Sequence, residues 1–263
     1  GRVACMVVVE VFHMGLTLLM NRPFDEALAI VKKITIPMIV ANGAGMGIYT
    51  FIINNLIRER AAQAETQMME GELKAAREIQ MGIVPGIFPP FPDRKEFDIS
   101  AVLEPAKEIG GDVYDFCFID NDRLFFAIGD VSGKGVPASL FMAVTITLLR
   151  STAVQGIDAG SILESVNNSL TRENATNMFV TVFCGILNMR TGRVEYANAG
   201  HNPPFIVHKD GRIEELSGDG SLVLAAAEDT SYGTRAVSLG AGDVIFHYTD
   251  GVTEAMDEAG NFF

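Results

Sequence analysis

The stretch IGDVSGKGVPAS at residues 128–139 decides how the rest of the chain is read. It ends the apolar run RLFFAIGD on one carboxylate, Asp130, and surrounds it with Gly129, Gly133, Lys134 and Gly135. A phosphate-binding Walker loop needs G-x-x-x-x-G-K followed by Ser or Thr. Here Gly135 replaces the hydroxyl residue and Ile128 stands where the first glycine belongs. Ser132 lies in GDVSG, which is not the G-x-S-x-G elbow of a serine nucleophile. What remains is a tight turn that carries Asp130 from a strand into a helix over 136–155. Its glycines permit backbone angles closed to other residues.

Two more aspartates share this context. Asp112 follows a Gly-Gly pair and opens a strand in IGGDVYDF, and Asp250 ends one in VIFHYTDGVTEA. An aspartate beside glycine at a strand end is commonly a turn residue. Three repetitions beside central strands point further. If the strand ends converge, the carboxylates repel one another unless a cation offsets the charge. Hard oxygen donors without His or Cys select Mg²⁺ or Mn²⁺ over Zn²⁺.

Outward from these sites the pattern is α+β. FDISAVLE, VYDFCFI and RLFFAIGD read as strands, the latter two apolar enough to be covered on both faces. Helices are expected at 136–155 and 158–173, with Asp158 as an N-cap. MFVTVFCGIL, RVEYANA, PPFIVH, RIEEL, TRAVSL and DVIFHYT read as further strands joined by glycine-containing turns. Strands interrupted by two adjacent helices, rather than alternating with helices, predict two packed sheets with helices outside them.

The amino-terminal third differs. Residues 3–20 and 34–57 are almost wholly apolar, and each is long enough to cross a hydrocarbon core of roughly 30 Å as a helix. Glu10 and His13 lie three apart, on one face of the first of these helices. Ionisable groups inside a membrane default to a sensing or pairing role; an interfacial location is the alternative. Gly43 and Gly47 form a G-x-x-x-G that favours close helix packing. Residues 58–85 form a charged linker helix. Ala62, Thr66, Met69, Leu73, Ala76, Gln80 and Ile83 recur at spacings of four and three. That seam suits a homodimeric signalling helix or a solvated helix with one apolar edge. PGIFPPFP at 85–92 ends it. The chain therefore divides into a membrane fragment at 1–57, a linker at 58–85 and a catalytic-type domain at 86–263. Its formal net charge of −13 argues against a nucleic-acid surface. Three scattered cysteines, Cys5, Cys117 and Cys184, offer neither a zinc site nor a disulfide framework.

The segments AREIQMGIVP, PAKEIGGDVYDF, IGDVSGKGVPASLFMA, NMFVTVFCGILN, VEYANAGHNPP and YTDGVTEA, in this order, resemble the metal-dependent PPM-type Ser/Thr protein phosphatases. The branch they match is named after stage II sporulation protein E. The resemblance covers almost all of 77–263. It implies a four-layer αββα sandwich with two Mn²⁺ or Mg²⁺ ions between the sheets. By the same resemblance Asp112, Asp130 and Asp250 are catalytic metal ligands, and the Val131 carbonyl is a further ligand. Two-metal chemistry then activates water for in-line attack on a phosphorylated serine or threonine. The implied partner is a phosphorylated regulatory protein of the anti-sigma-factor-antagonist type. Lys107 and Lys134 either assist with phosphate or are surface lysines. His201, in AGHNPP, either orients substrate or is a satisfied loop histidine. Glu254 reads as a charge at a helix N-terminus rather than a ligand. The family's further aspartate, expected beyond TDGVTEA, is not in this sequence, so the fold is expected to be incomplete at its carboxyl end. Ala225 stands where the family commonly has glycine.

VEVFHMGLTLLM and FDEALAIVKKITIPMIVANGAGMGIYTFI are similar to the last spans of the five-transmembrane sensor of LytS-type histidine kinases. Together these imply a bacterial cell-membrane protein with its phosphatase domain in the cytoplasm. A catalytically weak or inactive partner-binding module on the same fold is the alternative function. A nucleotide-binding signalling ATPase is a second alternative, opposed by the failed Walker match.

Overall fold

The computed structural model describes residues 2–20, 23–105, 109–172, 174–217, 220–257 and 260–262, with side chains from residue 8 onward. The chain forms two compact units, Gly1–Glu70 and Gly71–Phe263.

The first unit is helical. Helix α1 spans Arg2–Met20, and α2 spans Phe24–Ile83, 60 residues that run on into the second unit. No Gly or Pro occurs between residues 48 and 70, so nothing in the sequence breaks α2 where the apolar segment gives way to the charged linker. Its amino-terminal portion is long and apolar enough to cross a membrane. Phe12, Leu19, Ile36, Val40 and Phe51 present apolar surface outward, the opposite of a water-soluble helix pair.

The second unit is built on antiparallel sheets. Strands β1 (Val113–Phe118), β2 (Arg123–Val131), β3 (Val180–Asn188), β4 (Arg193–Ala199) and β7 (Arg235–Ser238) form one sheet in the order β1-β2-β3-β4-β7. β6 (Ile213–Glu215), β5 (Phe205–Val207) and β8 (Val244–Phe246) form a second sheet in that order. Helices α3 (Val136–Ala153) and α4 (Ala159–Arg172) pack on the larger sheet.

Period-two alternation explains why the central strands read as continuous apolar runs. Phe125 and Ala127 of β2 face the helices with Val182, Cys184 and Ala197, whereas Phe126 and Ile128 turn the other way towards Phe183, Tyr196 and Ile206. Both faces are covered, as the sequence predicts. Met142, Ile146 and Leu149 of α3 and Ile162 and Val166 of α4 complete the larger core. Asp158 accepts from the Ser161 amide at 3.2 Å, the capping role expected of it.

These layers give helix, sheet and sheet. Among the described residues no helix covers the outer face of the smaller sheet, where Ile213, Val244 and Phe246 are exposed. One expected strand is not formed. FDISAVLE makes no ladder hydrogen bonds; Phe97 packs instead on Phe91 and Phe118, and the Ile99 amide bonds its neighbour's Asp98 carboxylate. Local side-chain bonding of this kind competes with strand pairing.

Candidate metal centre

Sheet register brings the first two aspartates together. Val113 pairs with Gly129 in the antiparallel β1–β2 ladder. One step beyond, Asp112 therefore stands opposite Asp130, with both side chains on one face. One step further, the Val131 amide donates to the Gly111 carbonyl at 3.3 Å. The third aspartate arrives from elsewhere in the chain: Asp250 opens the short helix α5 (Asp250–Thr253) after β8. One carboxylate oxygen from each of Asp112, Asp130 and Asp250 lies within 4.8 Å of the others.

Gly111 makes this closeness possible. A Cβ there would sit 2.6 Å from the Val131 carbonyl oxygen and 2.9 Å from Asp130 Oδ1. The two strands meet too closely at this point for any side chain. The loop after Asp130 turns through Gly133 and Gly135, with φ of 90° and 82°, values that favour glycine. Pro137 then lies in the first turn of α3, where the missing amide proton is no loss.

The electrostatics are unfavourable without a counter-charge. Burial, then the Asp112 and Asp250 carboxylates, push the Asp130 carboxyl up to about 7. No positively charged side chain is paired with these three residues by any ion pair among the described residues. The donor set is oxygen only: three carboxylates and the adjacent Val131 carbonyl. That chemistry fits a hard divalent cation such as Mg²⁺ or Mn²⁺.

Several groups that sequence reasoning did not single out shape this cluster. Thr249 Oγ1 donates to Asp112 Oδ2 at 3.1 Å. Thr181, which pairs with Asp130 across β2 and β3, directs its hydroxyl to the Asp130 carbonyl at 3.3 Å. Gln80, at the end of α2, donates to the Gly110 carbonyl at 2.7 Å. Only Thr249 had a local signal, its place beside Asp250; the other two come from distant segments.

The remaining expected site residues fall in different places. Lys107 lies outside the described residues. Lys134 is exposed on the loop. His201 is buried, 4% exposed, with Nδ1 against Thr181 Oγ1 at 2.9 Å and its backbone locked to the Asn198 side chain. Burial lowers its imidazole to about 4, so it is neutral near pH 7. It stands behind Asp130, joined to it through Thr181. Glu254 follows α5 as its C-cap rather than charging its first turn. In the helical unit the Asn42 amide donates to the Glu10 carboxylate, linking α1 to α2, while the His13 carbonyl accepts from Thr17 Oγ1 at 2.9 Å.

Two parts of the chain match known protein families. Residues 120–263 match the model of the stage II sporulation protein E family, and residues 2–56 match that of the five-transmembrane region of LytS-type proteins. The phosphoserine phosphatase RsbU of Bacillus subtilis is 34% identical over 215 residues, covering 80% of this chain and 64% of RsbU. Protein IcfG of Synechocystis is 30% identical over 219 residues, covering 73% of this chain and 34% of IcfG. The chain thus spans about a third to two thirds of the length of these relatives. The RsbU and RsbW domains of a Mycobacterium tuberculosis protein superpose with a TM-score of 0.52 at 31% identity, covering 59% of this chain and 42% of theirs. The SiaA PP2C domain of Pseudomonas aeruginosa shares the fold, with a TM-score of 0.63 at 21% identity over 75% of this chain and 78% of its own. The chain belongs to the stage II sporulation protein E family of PPM-type phosphatases, with the end of a LytS-type five-transmembrane region ahead of the phosphatase domain.

Proposed function

We propose that this chain is a membrane-anchored, metal-dependent phosphoprotein phosphatase. Its substrate is a phosphoserine or phosphothreonine on a regulatory protein of the anti-sigma-factor-antagonist type, met on the cytoplasmic side. The observation that carries this reading is the convergence of Asp112, Asp130 and Asp250, separated by up to 138 residues in sequence, within 4.8 Å in a chain of this family.

Asp112, Asp130, Asp250 and the Val131 carbonyl would hold two divalent cations. When bound, these supply an acidified water and neutralise the phosphoryl oxygens. The chain's own residues do the rest. Burial and the neighbouring carboxylates hold the Asp130 carboxyl up at about 7, so a bound cation would favour its ionised form. Thr249 fixes which Asp112 oxygen is free to turn inward. Asp250 is exposed, so the cluster opens to solvent on its side and admits a phosphorylated side chain from a folded partner. His201 stays neutral and positions Asp130 through Thr181 instead of protonating the leaving oxygen. Lys134, exposed on the loop that follows Asp130, serves as a phosphate contact, and the same role is assigned to Lys107 from the sequence. Residues 1–57 anchor the protein, and the linker seam brings two copies together.

The deciding experiment follows phosphate release from a phosphorylated antagonist protein with Mn²⁺ present, for the wild-type chain and Asp130→Asn. Release by the wild type and none by the variant is the expected result. Equal release by both rejects the metal reading. Absence of divalent-cation binding in calorimetry favours the partner-binding module instead.

A further inference from the structure

We propose that Gln80, the last-turn residue of α2 that bonds the Gly110 carbonyl, is a positioning residue of the metal centre. The inference rests on the metal-centre reading above and adds a residue to it that lies outside the phosphatase sheet.

Gln80 is 3% exposed, and its Nε2 donates to the Gly110 carbonyl at 2.7 Å. Buried amides on helices that carry charged, solvated faces elsewhere are costly unless they do something specific. Its Oε1 is also buried and meets no hydrogen-bond partner among the described residues. Leucine or methionine would fill the same volume without that penalty. Its one polar contact among the described residues is the Gly110 carbonyl.

That carbonyl sits at the start of the narrowest part of the site. Gly110 precedes Gly111, whose Cα faces the Val131 carbonyl and Asp130 Oδ1 with no room for a Cβ. Asp112 follows directly. The loop's own tie to β2, Val131 N to Gly111 O, is long at 3.3 Å. The Gln80 bond is the shorter of the two and ties the loop to α2. The donor is itself held firmly. Val84 and Ile83 pack in the larger core, and Tyr114 Oη donates to the Pro85 carbonyl at 2.6 Å. A side chain anchored by the residues that follow it thus sets the height of Gly110 and Gly111, and through them the separation of Asp112 from Asp130 and Val131.

The test uses the full chain in detergent, with Gln80→Met, which keeps length and volume and removes only the amide. Mn²⁺ binding is measured by calorimetry, and thermal unfolding is measured in excess chelator. Mn²⁺ is expected to bind Gln80→Met about tenfold more weakly, the usual scale for losing a group that orients a ligand. The metal-free melting temperature is expected to stay within roughly 4 °C of wild type, because the lost hydrogen bond and the relieved Oε1 act in opposite directions. Unchanged Mn²⁺ affinity in the variant, with normal binding by the wild type, overturns the role of Gln80 and leaves the metal centre standing. No Mn²⁺ binding by the wild type overturns the metal centre itself. A fall of roughly 10 °C or more in the metal-free protein assigns Gln80 to structure alone. A second measurement needs no variant. Linkage requires Mn²⁺ in turn to tighten the Gln80 contact, so amide hydrogen exchange across residues 76–84 of the wild type slows on adding Mn²⁺. Exchange that ignores the metal overturns the proposal.

Discussion

Two adjacent glycines offer the sharpest test of how the centre is assembled. Gly111→Ala places a methyl group 2.6 Å from the Val131 carbonyl oxygen, 2.9 Å from Asp130 Oδ1 and 3.2 Å from the Val131 amide. Ordinary contact begins near 3.5 Å, so the loop and β2 must separate by about 0.9 Å at the point where Asp112 faces Asp130. Two of the three atoms are backbone in a paired strand, which cannot swing aside as a long side chain would. Overpacking of this kind costs about 1–3 kcal/mol, or roughly 2–12 °C of melting temperature in a domain this size. Gly110→Ala is the control. Its methyl would meet Pro105 Cβ at 3.4 Å, an ordinary contact, and φ at Gly110 is not in the left-handed region. It is expected to be neutral or to stabilise by about 0.5 kcal/mol, through the less flexible unfolded chain. The assay is thermal unfolding in chelator alongside Mn²⁺ titration of both variants. Gly111→Ala should lose stability and at least tenfold in Mn²⁺ affinity, on the order seen when ligand-orienting groups are disturbed. If the two variants behave alike, the close approach of Gly111 to Asp130 is not what sets the site.

Other expectations follow from the same contacts. Asp130 has a folded-state pKa raised from 3.8 to about 7, so the metal-free fold binds a proton that the unfolded chain has released. Stability from this group is therefore full below about pH 4 and is lost as pH rises towards 7. Buried His201 and His247, lowered to about 4 and about 3, act oppositely as pH falls below 6.5. The clean readout is the difference in melting temperature between wild type and Asp130→Asn in chelator, which should change in the variant's favour from pH 5 to 7; a flat difference refutes it. Arg150→Met removes the bidentate partner of Asp115, whose side chain is fully buried. The unpaired carboxylate should cost towards the lower end of roughly 3–5 kcal/mol, since the arginine is half exposed, as read by chemical denaturation. Ala225 holds a φ of 66°, a left-handed conformation costly to a residue with a Cβ. Ala225→Gly should raise stability by about 1 kcal/mol in the same assay. Cys184, fully buried with its thiol pushed up to about 12, should resist alkylation in the native protein and react after denaturation.

The sequence made the core legible because period-two patterning is local. Each run that alternates between two covered faces announces itself, as RLFFAIGD does, and its neighbours in the ladder follow from the turns between them. The aspartates were legible for a related reason: glycine beside a carboxylate at a strand end marks where the chain leaves the sheet. FDISAVLE had the composition of a strand, yet whether a segment pairs depends on a free edge beside it, which no local pattern records. His201 illustrates the limit at the site. A conspicuous loop suggests access to substrate, whereas the fold turns the imidazole inward against Thr181. Gln80 was hidden for the opposite reason. Within its own segment it is one polar member of an apolar seam, and its significance lies 30 residues away at Gly110.

Why an acidic chain should gather three carboxylates follows from the sign of the coupling. With a net charge of −13, adding a buried anion raises the energy of the folded state unless a cation offsets it. The raised Asp130 pKa is that cost expressed as a proton affinity. On the proposed metal reading a proton and a divalent cation compete for one cluster, and the winner depends on how closely Asp112 is pressed against Asp130. That spacing is set by backbone: the β1–β2 register, the missing side chain at Gly111 and the Gly110 carbonyl held by Gln80. A small retreat of the loop would weaken cation binding and let the proton return, without disturbing the helices or sheets that form the core.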